Sequence, residues 1–298
     1  MVHLAHKSLT SRLGAAIFIV ALSFVFRAEA SGTNERRAER IVSLNLCTDQ
    51  LLIDLVEKAR IAALTELATD SLSTPVPERA AGLPVTTSDA EAVLMRRPDL
   101  VLASIFSPPA TLEMLRRSGI AVETVTAPHT LAEVRRSILA LSAKLGAEAR
   151  GAALAATLDA AEARAREAAS RTARQPSALL LQPNNYVAGS ASLASDLLRV
   201  AGFRNHADAL GVGAFGQVSL EQLVASPPDV LILASDADDY LGAAADNLRH
   251  PALAALGQRV SNAVIPWSEW LCGTHHVARV LDRLAMVRAK LPRDGRQR

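Results

Sequence analysis

A twelve-residue motif that occurs twice constrains the fold of this chain more than any other feature. Residues 91–102 read EAVLMRRPDLVL and residues 221–232 read EQLVASPPDVLI, so that in both copies a glutamate precedes a Pro-Asp pair by seven and eight positions. An apolar, β-branched run follows each pair, as a buried parallel strand requires. One helix–turn–strand unit repeated 130 positions apart (221 minus 91) predicts two similar lobes with a space for a ligand between them.

The first thirty residues have the layout of a secretory signal peptide. Basic and histidine residues at positions 3–12 precede a short apolar run at 13–26, and Ala28 and Ala30 supply small side chains at the cleavage positions. The apolar run is shorter than the roughly 20 residues that a transmembrane helix needs. We therefore predict a signal peptide over 1–30, cleaved after Ala30. No cysteine lies near that position, so we expect no lipid anchor.

The charge balance argues against a nucleic-acid partner. The formal net charge of the chain is +2, and the first thirty residues contribute Lys7, Arg12 and Arg27 against Glu29, a net of +2, so the exported part is close to neutral. A nucleic-acid site would require a clustered basic face, whereas the basic clusters here lie towards the ends of the chain. The 268 residues that remain (298 minus 30) are enough for two lobes with cores of their own.

Apolar periodicity predicts strands alternating with helices, which indicates an α/β fold with two βα lobes and mostly parallel sheets. We assign residues 40–146 to the N-terminal lobe and residues 173–292 to the C-terminal lobe. Between them, residues 147–172 are dominated by Ala, Glu, Arg and Leu and contain no proline, which predicts a single long interlobe helix on the order of 37 Å in length. A helix is a stiffer connector than a loop, so we expect small lobe motions.

Local patterns predict the elements that surround the space between the lobes. We expect a strand over 41–45 and a helix over 48–58, with Leu51, Leu52 and Leu55 on its apolar face. Proline, glycine and asparagine at 183–191 and at 211–216 favour loops. Residues 267–273 are also expected to form a loop, and residues 248–256 a short helix.

Several further segments carry a resemblance to a known family. They are residues 40–45 (RIVSLN), the two Glu to Pro-Asp units, residues 217–221 (QVSLE) and residues 264–267 (VIPW). In this order, behind a signal peptide and around an alanine-rich helix, the whole exported chain resembles the periplasmic binding proteins of iron-siderophore and cobalamin ABC importers. The resemblance implies a periplasmic monomer without a cofactor. It would carry a metal chelate, an iron(III)-siderophore or a corrinoid, to the inner-membrane permease subunits of an ABC importer.

The predicted ligand cleft lies at the carboxyl ends of the strands, where open α/β sheets generally bind ligands. The predicted ligand-binding residues are Asn45, Cys47, Tyr186, Phe215, Trp267, Trp270 and Cys272. Aromatic faces suit flat corrins and aryl chelates, although a tryptophan beside a strand end is also explained by core packing. Since the aromatic lining is thin for a corrin, a siderophore is preferred. Heme is disfavoured because both tyrosines fall in the second lobe and no histidine is placed as an axial ligand.

The two repeated glutamates have a local and a functional interpretation. Glu91 completes a capping box with Ser88, and Gln222 completes one with Ser219, which leaves Glu221 near a helix start where a negative charge is favoured. Capping explains each local sequence but not why the two lobes match. The family resemblance implies that Glu91 and Glu221 protrude from the lobes and pair with arginines of the two permease subunits. We favour this docking role.

The two cysteines leave three alternatives open. Cys47 and Cys272 are the only cysteines, and an exported protein with an even number normally forms a disulfide. Both are predicted in cleft loops, one in each lobe, so a bond would link the lobes across the cleft. The alternatives are two free buried thiols, or thiolates that contact a metal or a reactive ligand.

The remaining candidates concern metal binding and catalysis. His275 and His276 follow Cys272 and would suggest a transition-metal site with Cys47, but adjacent residues point in different directions on a helix. These candidate Cys and His ligands leave a receptor for free Zn²⁺ or Mn²⁺ as the alternative function. No nucleophile elbow, phosphate-binding glycine loop or His-Glu-x-x-His motif is found, so we predict no catalytic residues and no enzyme activity.

Overall fold

The computed structural model describes residues 37–171, 173–234 and 250–291. The predicted signal peptide, and the first two residues of the predicted helix over 248–256, lie outside the described residues. The chain folds into two βα lobes with mostly parallel sheets, joined by one long helix. The predicted fold class is thus confirmed. Among the described residues, no helix combines the length and the apolar character needed to cross a membrane.

The first lobe contains a four-stranded parallel sheet in the order β2-β1-β3-β4. Every residue of β1 and β3 is buried, because helices cover both faces of this sheet. The elements are β1 (Ile41–Ser43), α1 (Leu46–Leu55), β2 (Ile61–Ala63), α2 (Ala90–Met95), β3 (Leu100–Ser104), α3 (Pro109–Arg117), β4 (Ala121–Val125) and α4 (Leu131–Lys144).

The second lobe follows the long helix α5 (Glu148–Ser170) and contains a sheet in the order β10-β9-β5-β6-β8, with β7 also paired to β5. The pairs β10-β9, β5-β9 and β5-β7 are parallel, and β6 pairs antiparallel with both β5 and β8. The elements are β5 (Ser177–Leu181), β6 (Tyr186–Ala188), α6 (Leu193–Val200), β7 (Arg204–Asn205), β8 (Phe215–Gln217), α7 (Leu220–Ala225), β9 (Val230–Leu233), α8 (Pro251–Gly257), β10 (Ser261–Val264), α9 (Trp267–Trp270) and α10 (Val277–Lys290).

Helix α5 joins the lobes through a face made almost entirely of small residues. Its buried positions recur every three or four residues and are Gly151, Ala155, Leu158, Ala161, Ala165 and Ala168. This spacing places them on one side of the helix, against α4 of the first lobe and α10 of the second. Alanine and glycine allow the backbones to approach closely. At Gly151 the approach is so close that an added Cβ would lie 2.0 Å from the Ser142 hydroxyl oxygen.

The largest apolar core is continuous across this joint. One cluster of buried side chains contains Leu102 of the first sheet, Leu158 of α5 and Ile232 of the second sheet. Two smaller clusters lie within the individual lobes. Each lobe thus has a core of its own, as predicted, and the small-residue face of α5 adds a larger core that is shared by both lobes.

The repeated Pro-Asp pairs have the same structural role in both lobes. The Asp99 carboxylate accepts the backbone N–H groups of Glu39 and Arg40, at 2.7 and 3.0 Å, just before β1. The Asp229 carboxylate accepts the N–H of Ser177, the first residue of β5, at 2.7 Å. Each aspartate precedes the strand that pairs with β1 or β5. The motif thus satisfies backbone N–H groups where two parallel strands begin, at exposed positions in the first lobe and a partly buried one in the second.

Four local predictions are corrected by the structure. Helix α1 begins at Leu46 rather than Thr48, since the Asn45 side chain caps it by accepting the N–H of Cys47 at 3.0 Å. It ends at Leu55 rather than Lys58. The two predicted loops at 183–191 and 211–216 contain β6 and β8, which pair with each other. The predicted loop over 267–273 contains α9.

We expect Gly151→Ala to lower the free energy of unfolding by about 1–2 kcal/mol. Helix propensity alone would favour alanine by about 1 kcal/mol, but the new Cβ would lie 2.3 Å from Cβ of Ser142, so the helices must separate. Urea unfolding of the mature protein measures the difference. At the exposed neighbour Ala152 only propensity acts, so Ala152→Gly serves as the control and should itself destabilise. A more stable Gly151→Ala protein would contradict the close packing of α4 and α5.

Candidate functional site

A cavity of 150 Å³ lies between the lobes, beside the carboxyl ends of the first sheet's strands. The first lobe contributes residues that follow β1, β3 and β4, and the second lobe contributes Leu193 and residues near α9. Six of the lining residues are Asn45, Thr48, Ser104, Leu193, Trp270 and Gly273. None of the described residues that line this cavity carries a charge. The cavity is therefore small and uncharged, and we call its lining the floor of the interlobe cleft.

Local hydrogen bonds fix the first-lobe side of this floor. Ser43 and Thr48 share a hydrogen bond of 2.6 Å between their hydroxyl groups, and Thr48 also donates to the Asn45 carbonyl at 2.8 Å. At the end of β3, Ser107 accepts the N–H of Ser104 at 3.1 Å. Ser104 in turn accepts the N–H of Phe106 at 3.1 Å. These two bonds close a tight turn after β3 that contains Phe106.

Phe106 is the aromatic residue that the sequence analysis missed. It lines the cavity, and 76% of its surface is exposed. The sequence signal that would have found it is its position two residues after β3, since ligands of open α/β sheets generally bind at the carboxyl ends of the strands. The structure therefore adds one aromatic face from the first lobe to those predicted in the second.

Tyr186 and Phe215 form a stacked pair at the carboxyl end of the second sheet. Their ring centroids are 4.9 Å apart and their planes differ by 7°. They lie on neighbouring antiparallel strands, β6 and β8. The chain reverses between β5 and β6 at Asn184 and Asn185, which adopt left-handed backbone conformations (φ 57° and 58°) that asparagine tolerates well. Phe215 is 59% exposed. Two of the predicted aromatics are thus brought together.

The two tryptophans are separated by the structure. Trp270 is buried, packs on the large core and forms part of the cavity lining. Trp267, at the start of the same short helix, lines a different cavity of 370 Å³, with Pro75 and Arg279 among its neighbours. The packing interpretation thus applies to both rings, and of the two only Trp270 adjoins the interlobe cavity.

Cys47 and Cys272 form a disulfide. Of the three alternatives, the structure therefore shows the bonded pair, with a Cα–Cα distance of 5.2 Å. The bond joins α1 of the first lobe to the segment between α9 and α10. Cys47 lines the interlobe cavity, and Cys272 lies between two lining residues, Leu271 and Gly273, without lining it itself. Close by, a Cβ added to Gly273 would lie 2.2 Å from a ring carbon of Pro128 in the first lobe. The lobes are in direct contact there.

The contact continues along α1, and we call it the interlobe seam: Cys47, Gln50 and Asp54 of α1 against residues 272–276. Thr274 donates a buried hydrogen bond of 2.9 Å to the Gln50 side chain. One turn further, Asp54 faces both histidines of this segment.

The prediction that the adjacent histidines diverge is wrong. They precede α10, and their rings lie with centroids 4.0 Å apart. Burial and the neighbouring His275 lower the pKa of His276 to about 3, so its imidazole is neutral near pH 7.

A buried carboxylic acid, Asp49, supports the other side of α1. Its side chain accepts hydrogen bonds from the backbone N–H of Thr65 at 3.3 Å and from the Thr65 hydroxyl at 2.5 Å. Burial raises the pKa of Asp49 to about 7, against the opposing effect of bonds from Ser43 and Thr65. Nothing in the local sequence marks this aspartate, because its partner lies 16 residues away. It holds α1 against the loop after β2.

The two repeated glutamates occupy equivalent exposed positions. The caps of their helices are Asp89, which accepts the N–H of Ala92 at 2.9 Å, and Ser219, so each glutamate is the second residue of its helix. The predicted capping box at Ser88 and Glu91 is therefore wrong, since Asp89 already supplies the cap. The box of Ser219 with Gln222 is confirmed. A hydrogen bond from Ser219 lowers the pKa of Glu221.

Comparison with known proteins identifies the class. A family model described as periplasmic binding protein matches residues 41–259, well over half of the chain. The chain therefore belongs to the periplasmic binding protein family, as the sequence resemblance indicated. The comparison with curated proteins gives no significant match.

Solved structures with the same fold include three informative ones. The periplasmic heme-binding protein RhuT from Roseiflexus sp. RS-1, in apo form, is 28% identical with a TM-score of 0.70, covering 85% of this chain and 98% of that one. The periplasmic heme-binding protein BhuT in complex with two hemes is 26% identical with a TM-score of 0.67, covering 84% and 99%. The periplasmic vitamin B12 binding protein BtuF of Vibrio cholerae, at 18% identity, shares the fold, with a TM-score of 0.63 and coverage of 84% and 96%.

Removal of the disulfide should destabilise the protein strongly. We expect the double substitution Cys47→Ser and Cys272→Ser to lower the free energy of unfolding by about 2–5 kcal/mol, because the bond closes a loop across 225 positions. Urea unfolding with and without reductant measures this. The wild-type protein should become less stable when reduced, and the double variant should not respond. Equal stability of variant and oxidised wild type would show that the bond contributes nothing.

Proposed function

We propose that this protein is the periplasmic receptor of an ABC importer and that it binds a metal chelate in the interlobe cleft. The chelate class that we propose is a metal tetrapyrrole, and within it a corrinoid. The observation that carries this proposal is the combination of an uncharged floor with exposed aromatic faces. It is a binding role without catalysis, in keeping with a family of binding proteins.

The absence of charge in the described lining separates the candidate chelates. Ferric catecholates are anions and heme carries two propionates, and both need cationic partners when they leave water. The described lining offers none. A corrinoid carries amide side chains, which hydrogen-bond to small polar groups such as Asn45, Thr48 and Ser104. The uncharged lining therefore favours a corrinoid over the siderophore that the low aromatic content of the sequence had suggested.

The aromatic faces supply the contact area for a flat ring system. The cavity is smaller than the roughly 300–1,000 Å³ of a typical ligand pocket, so it takes one edge or an axial substituent of the chelate. Phe106 lines the cavity and is mostly exposed, so it offers an apolar face at the edge of the cavity, and we propose that the exposed Phe215 of the second lobe contributes a second face. Two solved relatives that are more than 25% identical, RhuT and BhuT, are named for heme binding and support the tetrapyrrole class.

We propose that Glu91 and Glu221 dock the receptor onto the two permease subunits. The support is their equivalence: each is exposed, lies at the second position of a short helix, and belongs to one copy of the repeat. The neighbouring Pro-Asp pairs of the motif are explained by their bonds to strand starts. Neither glutamate is bonded to a strand start, and the local hydrogen bond of Glu221 with Ser219 leaves its carboxylate exposed, so both carboxylates can meet cationic groups on a partner.

Truncation of the cleft aromatics should weaken chelate binding. We expect Phe106→Ala and Phe215→Ala each to raise the dissociation constant for a corrinoid about tenfold, since each removes a ring that stacks on the ligand. Tryptophan fluorescence of the mature protein, titrated with cyanocobalamin, cobinamide, hemin and a ferric catecholate, measures it. Met286→Ala removes an exposed apolar side chain from α10 and serves as the control. Saturable binding of the ferric catecholate alone would replace the corrinoid by a siderophore.

Removal of both glutamates should abolish uptake and leave binding intact. We expect the double variant Glu91→Ala and Glu221→Ala to bind the chelate with wild-type affinity while uptake of labelled chelate by cells falls to background. The matched control is Glu113→Ala with Glu167→Ala, which removes two exposed glutamates from α3 and α5. Normal uptake by the first variant would refute the docking role without affecting the assignment of the cleft.

A further inference from the structure

A compact group of three potential metal ligands lies in the interlobe seam. Asp54, His275 and His276 each place one ligand atom within 4.8 Å of the other two. Oδ2 of Asp54 is 3.0 Å from Nε2 of His275 and 3.6 Å from Nε2 of His276. The side chains are 2%, 9% and 7% exposed. One ligand comes from the first lobe and two come from the segment that follows the disulfide.

Hydrogen bonding does not account for this arrangement. In the described part of the chain, both carboxylate oxygens of Asp54 and Nε2 of His276 are buried without an aligned hydrogen-bond partner. The 3.0 Å contact with His275 is therefore close in distance but poorly directed. Buried polar groups of this kind normally have partners, because an unpaired one is destabilising by about 1–3 kcal/mol. Oδ1 of Asp54 contacts the Arg79 guanidinium, but Oδ2 of Asp54 and Nε2 of His276 face one another across 3.6 Å, and two such groups indicate a shared partner.

The spacing matches the edges of a metal coordination polyhedron. In a tetrahedral zinc site with bonds of about 2.0–2.1 Å, neighbouring ligand atoms lie about 3.3 Å apart. The two distances from Oδ2 of Asp54, 3.0 and 3.6 Å, lie on either side of this value. Two imidazoles and one carboxylate are also a common ligand set for Zn²⁺ and related transition-metal dications.

A metal bound here must share the Asp54 carboxylate with Arg79. Its guanidinium contacts the other carboxylate oxygen, Oδ1 of Asp54, and its side chain is 47% exposed. Oδ2 remains available on the side of the histidines, and a ligating carboxylate is commonly held by an outer partner of this kind. Arg79 and Arg279 both bring positive charge near the site, so we expect moderate affinity. The half-exposed Arg79 also leaves a path for the ion to enter.

We propose that Asp54, His275 and His276 form a structural binding site for a transition-metal dication of the Zn²⁺ type, which links the two lobes beside the disulfide. The site is separate from the proposed cargo cleft, since none of its residues lines the interlobe cavity. Its metal would be part of the receptor and not its cargo. Cys47, which the sequence analysis joined with the histidines in a metal site, is excluded as a ligand by its disulfide.

Metal titration of the tag-free mature protein tests the site. We expect one equivalent of Zn²⁺ per chain by calorimetry, a Co²⁺ complex with the visible absorption of low-coordinate cobalt, and a melting temperature that rises with free Zn²⁺. His276→Gln and Asp54→Asn should each weaken binding at least about 100-fold, since loss of an outer partner alone weakens metal sites about 10- to 100-fold. His129→Gln, which removes an exposed histidine, should have no effect.

Two results would overturn the proposal. One is the absence of saturable Zn²⁺ or Co²⁺ binding by the wild-type protein at millimolar metal. The other is wild-type affinity in the Asp54→Asn and His276→Gln proteins, which would place any bound ion elsewhere. If a variant fails to fold, the Co²⁺ spectrum of the wild-type protein decides, since intense visible bands indicate low-coordinate protein-bound Co²⁺ and weak bands indicate a hydrated octahedral ion. Chelate binding in the cleft is measured separately, so its failure and the failure of this site are distinguishable.

Discussion

The packing of both lobes against the small-residue face of α5 is the interaction on which the rest of the structure depends. Because this face consists of alanine, one glycine and one leucine, α4 and α10 each approach α5 closely. The apolar core therefore runs from one sheet to the other. Lobes in one chain move freely unless their interface is large and apolar. Here it is continuous with the core, and the interlobe seam adds a disulfide and buried polar contacts. The cleft is therefore largely preformed.

The repeated motif shows how one local sequence serves structure and recognition at once. Its aspartate lies at the start of a buried strand and accepts backbone donors from the neighbouring strand, which explains the fixed Pro-Asp spacing in both lobes. Its glutamate lies seven positions earlier than the proline, on the first turn of a short exposed helix. Each helix is therefore held by its strand, and each carboxylate is presented in the same local setting.

Sequence patterns were sufficient for the features that depend on local periodicity. The long helix, the parallel strands and the two-lobed arrangement all follow from composition and apolar spacing over ten residues or more, and the structure confirms them. Boundaries depended on single side chains: Asn45 caps α1 two residues earlier than expected, and Asp89 displaces Ser88 as a cap. The β6–β8 pair was missed because its strands are three residues long and lie 27 positions apart.

The candidate site was harder to predict because its parts are joined by long-range contacts. The Cys47–Cys272 bond, the packing of Gly273 on Pro128 and the meeting of Asp54 with two histidines all connect residues that are far apart in sequence. A sequence shows which residues are available for such contacts but not which helix faces meet. The structure shows which faces meet, because α1 and the residues on either side of the segment before α10 pack into the same continuous core.

A preformed cleft also bears on how a loaded receptor would be distinguished from an empty one. A ligand shifts a conformational equilibrium only by the difference in its affinity for the two states. When the lobes are held by one core and a covalent link, that difference is small, and the spacing between Glu91 and Glu221 changes little on binding. The proposed docking would then proceed with similar geometry in both forms. On the proposed function, discrimination would come from the chelate itself, through the part of it that the cleft leaves exposed to a permease.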